Sequence, residues 1–188
     1  MKQKDHKALA YYLLDSAGES RVWNGTWHRR FFIWGCIGPD YIPFTYLRGI
    51  RQSRAMLGHN AKYSRAHINK SILRLQRRGV RGFRDCFALG TLMHYLADSF
   101  TFVHTEQFLG NMKEHRSYER ALHACFSDFL KEGVQRQTYG IGASEALHIF
   151  LDRRRRAYEA GEGSCEHDCR QIVHACAGVF QTLCCMPK

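Results

Sequence analysis

Two pairs of metal-binding side chains, each pair four residues apart, lie close together in this sequence. His94 and Asp98 form the first pair, His115 and Glu119 form the second, and His104 lies between them. Residues four apart share one face of an α-helix, with Cβ atoms about 5–6 Å from each other, so each pair can direct two ligands to one point. Imidazole and carboxylate ligands suit zinc, and the lack of Cys in this set favours a catalytic over a structural site. We therefore predict a hydrolytic metal centre.

The surroundings of the first pair strengthen this prediction. His94 and Asp98 belong to the most apolar segment of the chain, which begins at Phe83 and contains Phe, Leu and Met side chains. Burial of an isolated carboxylate is costly, so Asp98 must be paired or bound to a metal. For the pair at 115 and 119, a solvated helical pair is the simpler alternative.

The segments that must position these residues have the periodicity of helices. Only three prolines interrupt 188 residues, and long runs repeat their apolar side chains every 3.6 residues, which predicts an all-α fold. We expect helices over about 4–16, after Pro43, over about 62–78, 83–100 and 114–134, from a cap at Ser144 to near 161, and over about 165–183. The segment 38–43 is turn-rich, and we expect Pro39 to break any helix there. The prediction is a single domain, residues 1–188, that forms a bundle of about six or seven helices with a metal site in its core.

The composition of the chain is compatible with several kinds of binding partner. The net charge of +11 indicates affinity for something anionic, such as nucleic acid, an acidic membrane surface or a phosphate-bearing substrate, although a basic soluble surface explains it equally well. No apolar run approaches the roughly 20 residues of a membrane span, and the first residues lead directly into a helix. We expect a cytoplasmic protein with reduced cysteines, or a secreted one if the sequence has been trimmed. A structural zinc site around Cys165–Cys169 is a weaker alternative, because its spacing matches no common zinc motif.

The order of these residues resembles a known family. His94-Tyr95-Leu96-x-Asp98, then His104, then His115-x-x-Tyr118-Glu119 is similar to the zinc-dependent phospholipases C of bacteria, which are all-helical enzymes with three zinc ions. The related fungal single-strand zinc nucleases share the first motif but carry Asp where this chain has Glu119. The resemblance therefore implies a zinc-dependent phosphoesterase.

The resemblance also implies a set of ligands. The first zinc would be held by Asp40, His59, His94 and Asp98, with His67 as a weaker alternative to His59. The second would be held by His104, His115 and Glu119, and the third by His6 with Asp98 as a bridge. Asp40 is in addition the implied catalytic base that orients the attacking water.

Two positions depart from the family pattern. In secreted members, an N-terminal Trp supplies its free amine to the third zinc, whereas this chain begins with Met1. We hypothesise that the amine of Met1 reaches a zinc on the helix of His6. The second departure is Phe102, where the family usually has Pro, and it is expected to change the bend that follows the helix.

The predicted function is the hydrolysis of a phosphodiester by a metal-activated water, with two or three zinc ions as cofactors and a phospholipid as the expected substrate. Nucleic acid is an alternative substrate, which would make the chain a single-strand nuclease-like hydrolase. Two further classes stay open: a catalytically inactive metal-binding module and a basic helical adaptor without metal. Phe100, Phe102 and Phe108 would face a lipid or pack in the core, and core packing is favoured. Headgroup and oligomeric state are not fixed by the sequence.

Overall fold

The computed structural model describes residues 1–17, 22–41, 61–132, 146–161 and 163–185 of the chain. This part contains seven α-helices and one 3-10 turn, Phe102–His104, and no strand, which confirms the all-α prediction. The α-helices are α1 (Gln3–Ser16), α2 (Thr26–Tyr41), α3 (Ala61–Arg78), α4 (Phe83–Ser99), α5 (Met112–Lys131), α6 (Leu147–Glu159) and α7 (Cys165–Cys185).

The most apolar helix, α4, is the centre of the bundle. Helices α1, α2, α3 and α7 all pack against it, and α5 packs against α1 and α7. Its residues Leu89, Leu92, Met93 and Leu96 are completely buried. The helix that carries His94 and Asp98 is therefore enclosed by its neighbours, so both side chains project from a buried scaffold.

Glycine allows α2 and α4 to approach at backbone distance. A Cβ atom added to Gly90 would lie 2.1 Å from the carbonyl oxygen of Phe32, and one added to Gly35 would lie 2.2 Å from that of Phe87. No side chain larger than hydrogen fits at either position without moving a helix. This contact fixes the C-terminal half of α2 against the middle of α4.

The predicted helix break at Pro39 is wrong. Helix α2 continues to Tyr41 with Pro39 inside it. The ring of a proline clashes with the Cβ of the preceding residue when that residue is helical. Here the preceding residue is Gly38, which has no Cβ. The beginning of the helix predicted after Pro43 and the cap predicted at Ser144 lie outside the described residues.

Helix ends follow local capping rules where the structure describes them. The side chain of Asn111 accepts hydrogen bonds from the backbone N–H groups of Lys113 and Glu114, and Glu114 accepts one from Asn111 in return. This reciprocal cap starts α5 two residues earlier than predicted. At the end of α3, Gly79 has a positive φ of 69°, and its N–H donates to Leu75, as expected of a glycine just past a helix.

Some large apolar side chains lie on the surface. Phe100 is fully buried, as expected, and Phe102 and Phe108 pack edge to face and are half-buried. Leu109 is 95% exposed and Met112 is 53% exposed. Within the described ranges, no helix has the length and hydropathy that a membrane span requires.

Candidate metal centre

Two groups of candidate ligands lie close together at the C-terminal end of α4. One group is buried and consists of His6, His94 and Asp98. The other is partly exposed and consists of His104, His115 and Glu119. In each group, the ligand atoms lie within 4.8 Å of one another. The two pairs spaced four apart in the sequence thus each gain a third member from another segment.

In the first group, two imidazoles face the carboxylate of Asp98. Nε2 of His6 lies 3.3 Å from one oxygen of Asp98, and Nε2 of His94 lies 3.4 Å from the other. The two rings stack, with centroids 4.0 Å apart. All three side chains are almost inaccessible to solvent, so the polar atoms of this group must find partners within the protein or in a bound cation.

The backbone of α2 sets the orientation of His94. Nδ1 of His94 lies 2.9 Å from the carbonyl oxygen of Cys36. A carbonyl only accepts hydrogen bonds, so Nδ1 carries a hydrogen and Nε2 is the nitrogen that faces Asp98. Metal-ligating histidines are commonly oriented by such a bond from their second nitrogen. The close contact of α2 with α4 therefore acts directly on the ligand.

In the second group, Glu119 is the carboxylate that the histidines face. Its Oε1 lies 3.4 Å from Nε2 of His115 and 3.8 Å from Nε2 of His104. His115 precedes Glu119 by one turn of α5, whereas His104 comes from the 3-10 turn that follows α4. The same nitrogen of His104 is 3.8 Å from Asp98, so this carboxylate borders both groups.

The amino group of Met1 lies between the two groups. It is 3.0 Å from Asp98, 3.3 Å from Glu119 and 3.1 Å from Nε2 of His104. Burial lowers the pKa of this amino group, but the two carboxylates raise it, and the result is above its ordinary value. As an ammonium ion, this group forms ion pairs with both carboxylates, and its role as a zinc ligand stays a prediction.

Both central carboxylates are held in the ionised form that a metal ligand requires. Burial raises the pKa of Asp98, but the Met1 amino group and the neighbouring histidines lower it by more. The resulting pKa is well below its usual range. Burial also raises the pKa of Glu119, and the contacts with His104 and Met1 lower it to about 2. Each carboxylate thus keeps its negative charge at neutral pH.

The residues fit zinc in chemistry and in spacing. Tetrahedral zinc with bonds of about 2.0–2.2 Å places its ligand atoms about 3.3–3.6 Å apart. Three of the histidine–carboxylate separations, at 3.3 and 3.4 Å, are in this range, and that between His104 and Glu119 is slightly wider at 3.8 Å. His6 is only 1% exposed, and among the described residues neither of its ring nitrogens has a hydrogen-bond partner. An unpaired buried polar group costs about 1–3 kcal/mol, a cost that a bound cation removes.

The remaining predicted ligands have different outcomes. Oδ1 of Asp40 lies 3.7 Å from Nε2 of His94, at the edge of the first group, and its side chain is 24% exposed. His59 lies outside the described residues. His67 is exposed on α3, its ring packs against Tyr95, and neither of the described ligand groups includes it. Zinc ligation by the eight predicted residues stays a prediction.

An ion pair that the sequence did not reveal anchors α1. The buried carboxylate of Asp5 contacts Nδ1 of His123 on α5 and accepts a hydrogen bond of 3.1 Å from the N–H of Lys2. Asp5 directly precedes His6, so this pair holds the start of α1 in register with α5. The two residues are far apart in sequence, and nothing in their local pattern links them.

Asp168 on α7 connects the two segments that carry the second group. Its completely buried carboxylate accepts hydrogen bonds from the N–H of Phe102 at 2.9 Å, from the hydroxyl of Tyr118 at 2.8 Å and from the hydroxyl of Tyr158 at 2.7 Å. Phe102 begins the turn that carries His104, and Tyr118 precedes Glu119. Asp168 thus positions both ligands, although the sequence prediction placed it only in an alternative zinc site.

This role also gives a physical meaning to Phe102. A proline at position 102 would have no N–H to donate to Asp168. The departure from the family pattern therefore coincides with a hydrogen bond that only a non-proline residue can make. The sequence offered no local signal for this role, because Asp168 lies in the first turn of α7 beside Glu166, where acidic residues are common.

We expect Asp168→Asn to weaken zinc binding by the second group about 10- to 100-fold, the usual effect of losing a residue that orients ligands. The amide has one acceptor oxygen for three donors, so the turn of His104 or the side chain of Tyr118 loses its anchor. Zinc competition titrations with a chromogenic chelator measure the affinity. Asp152→Asn, at an exposed position of α6, is the matched control and should change nothing. Unchanged zinc dissociation constants in the Asp168 variant would show that this carboxylate is only a packing element.

Comparison with known protein families identifies a relationship. The sequence model of a family described as zinc dependent phospholipase C matches residues 5–170 of this chain. The matched range includes all eight predicted ligands. No curated protein and no solved structure matches the chain significantly.

Proposed function

The chain belongs to the zinc-dependent phospholipase C family, and we propose that it is a hydrolase that cleaves a phosphodiester of a phospholipid with zinc as its cofactor. The family match covers most of the chain, which supports the general class of zinc phosphoesterase. The phospholipid substrate and the number of zinc ions, two or three, are part of the proposal.

The observation that carries the proposal is the convergence of two ligand groups on Asp98. Its two oxygens face His6 and His94 in the first group, and one of them also lies 3.8 Å from His104 in the second. When bound, clustered zinc ions neutralise a phosphodiester, lower the pKa of a coordinated water toward about 7 and stabilise the leaving oxygen. The chain supplies the ionised, preorganised cradle that such chemistry needs.

Asp40 is the proposed catalytic base. Its carboxylate borders the first group at His94, and its side chain is partly exposed, so it can contact both water and substrate. A base must come within hydrogen-bond reach of the proton that it removes. In this role Asp40 orients the attacking water and accepts its proton.

A substrate panel tests the proposal. Protein purified without chelator is first analysed for zinc by mass spectrometry. Phosphatidylcholine, phosphatidylinositol and single-stranded DNA are then offered with added zinc and, separately, after removal of zinc. We expect bound zinc and zinc-dependent release of a phosphorylated headgroup from at least one phospholipid.

Each other outcome selects a different class. Zinc-dependent cleavage of DNA but of no lipid would make the chain a nuclease. Bound zinc without turnover of any substrate would indicate an inactive metal-binding module. Protein that holds no zinc would overturn the proposal and favour a metal-free adaptor.

The proposed ligand role of Met1 has its own test. We expect a Gly-Ser extension before Met1 to reduce bound zinc by one ion per chain and turnover by about 10- to 100-fold. The extension converts the amine into an amide, whose nitrogen has no lone pair for a metal, and it must enter a buried space between Asp98 and Glu119. Zinc content and initial rates are the measurements.

Addition of the same two residues after Lys188 is the control for the extension. It should leave both zinc content and rate unchanged. If the N-terminal extension also leaves them unchanged, Met1 is not a ligand.

A single-strand nuclease is the second candidate, and a stripe of exposed aromatic rings on α2 favours it. Trp27 is 66% exposed, Trp34 63% and Tyr41 66%. The three are spaced seven apart and thus lie on one face of the helix, and the guanidinium of Arg30 lies over the ring of Trp27. Exposed rings and cations together bind single strands by base stacking and phosphate contact. The DNA arm of the panel tests this candidate.

A further inference from the structure

A basic cleft opens beside the second ligand group. It has a volume of about 730 Å³ and is lined by Lys2, Met112, Lys113, Arg116, Glu119 and Arg120. Because Glu119 belongs to both the cleft and the ligand group, a molecule in the cleft reaches the metal centre directly. The cleft is therefore a candidate subsite for the part of the substrate next to the scissile phosphate.

Positive charge predominates in the lining of the cleft. Four side chains are cationic, and the single carboxylate, that of Glu119, already faces His104, His115 and the amino group of Met1. Among the residues that the structure describes, none of the four cations lies within ion-pair distance of a carboxylate. An anionic ligand would neutralise the excess positive charge of the cleft.

Helix stability does not account for these cations. Arg116 and Arg120 are four residues apart on α5, where like charges repel. Lys113 lies in the first turn of the same helix, where the macrodipole favours negative charge. All three are placed where they reduce the stability of the free helix and where a bound anion would offset that effect.

The edge of the cleft is apolar. Met112 lines it and is 53% exposed, and Leu109, three residues earlier, is 95% exposed. Exposed apolar side chains next to Lys and Arg are typical of surfaces that bind the interface of an anionic bilayer, where both kinds of residue find partners. A nucleic acid would satisfy the cations but not these two side chains.

We propose that this cleft selects phospholipids whose headgroup carries no positive charge, presented in an anionic bilayer, with Arg116 and Arg120 as the main determinants. The inference rests on the proposed function. A choline headgroup would place its fixed positive charge among four cations, whereas a glycerol headgroup leaves the phosphodiester charge unbalanced and free to interact with them. Guanidinium groups suit this task because they bind phosphate oxygens with two parallel hydrogen bonds.

The experiment compares phosphatidylglycerol with phosphatidylcholine vesicles as substrates for the zinc-loaded full chain. We expect the wild type to prefer phosphatidylglycerol. In Arg116→Gln/Arg120→Gln, the ratio of the two kcat/KM values should fall by about 25-fold, because each arginine contributes roughly a factor of five. Arg116→Lys/Arg120→Lys should retain most of the preference. Zinc content and circular dichroism check that each variant is folded and loaded.

The matched control is Arg74→Gln/Arg77→Gln, which removes two exposed charges from α3, a helix that does not line the cleft. This control should keep the wild-type ratio. A preference of the wild type for phosphatidylcholine, or an unchanged ratio in the Arg116/Arg120 variant, would overturn the inference while leaving the proposed function in place. Cleavage of a single-stranded oligonucleotide that depends on these arginines, without such dependence for the lipid, would also overturn it.

Vesicle co-sedimentation separates this inference from the proposed function. If the protein hydrolyses no phospholipid but pellets with phosphatidylglycerol vesicles through Arg116 and Arg120, the proposed function fails and the cleft assignment survives. If neither hydrolysis nor selective pelleting is seen, both fail.

Discussion

Replacement of Asp98 by asparagine is expected to remove zinc from both ligand groups and to reduce turnover about 10³-fold. One oxygen of Asp98 lies 3.3 Å from His6 and 3.8 Å from His104, and the other lies 3.4 Å from His94. Asparagine keeps the shape but loses the charge and one acceptor oxygen. Bound metal contributes several kcal/mol of transition-state stabilisation, and about 4 kcal/mol corresponds to this change in rate. Zinc per chain and initial rates are the measurements.

Asp128→Asn is the matched control for this substitution. Asp128 lies on α5 with a side chain that is 68% exposed and forms an ion pair with Lys131. The control should keep both zinc and turnover. If Asp98→Asn also keeps full zinc and full turnover, the two groups do not share a carboxylate and the multi-zinc site is wrong.

The second large effect is expected from Gly90→Ala in the contact between α2 and α4. The added Cβ would lie 2.1 Å from the carbonyl oxygen of Phe32 and 2.9 Å from the nitrogen of Cys36. These are backbone atoms, so α2 must move by more than 1 Å to reach ordinary van der Waals contact. That movement pulls the carbonyl of Cys36 away from His94 and displaces Asp40. We expect turnover to fall by about 10²-fold, the usual result of a 1 Å misplacement.

Stability should fall as well, and urea unfolding measures it. Overpacking costs about 1–3 kcal/mol or more, and the gain in helix propensity from glycine to alanine, at most about 1 kcal/mol, does not offset it. Gly82→Ala, at the N-cap of the same helix α4, provides the control, because nothing lies within 4 Å of its added Cβ. A Gly90→Ala protein as stable and as active as Gly82→Ala would show that the two helices are not held at backbone distance.

The sequence predicted those parts of the site that depend on local geometry. Two ligands four residues apart share a helix face wherever the helix packs, so the pairs at 94 and 98 and at 115 and 119 were visible as pairs. The apolar residues around Asp98 in the sequence also predicted that it is buried. His104 was visible between the two pairs, whereas His6 and Asp40 came from the resemblance to a family. The structure places His6 within the first group and Asp40 at its edge, and it places His104 within the second group.

Features that depend on long-range contact were not predictable in the same way. At Pro39, Gly38 removes the local clash that would end the helix, but whether the helix then continues also depends on the packing of α2 against α4 at Gly35, which no local rule contains. The partners of Asp168 come from three different segments. Likewise, the cationic cleft forms only when Lys2 lies beside the first turns of α5. Lys2 is more than a hundred residues away in the chain from the other residues that line the cleft.

The carboxylates of the site also determine how metal and substrate influence each other. Asp40, Asp98 and Glu119 carry three negative charges, whereas two or three zinc ions would bring four to six positive ones, so a loaded centre has a positive excess. A phosphate that binds to this excess must, by thermodynamic reciprocity, tighten the metal by the same factor by which the metal tightens the phosphate. The occupancy of the centre in a cell is then governed jointly by free zinc and by the supply of phosphate esters. Forms that hold both zinc and phosphate, or neither, are favoured over forms that hold only one of them.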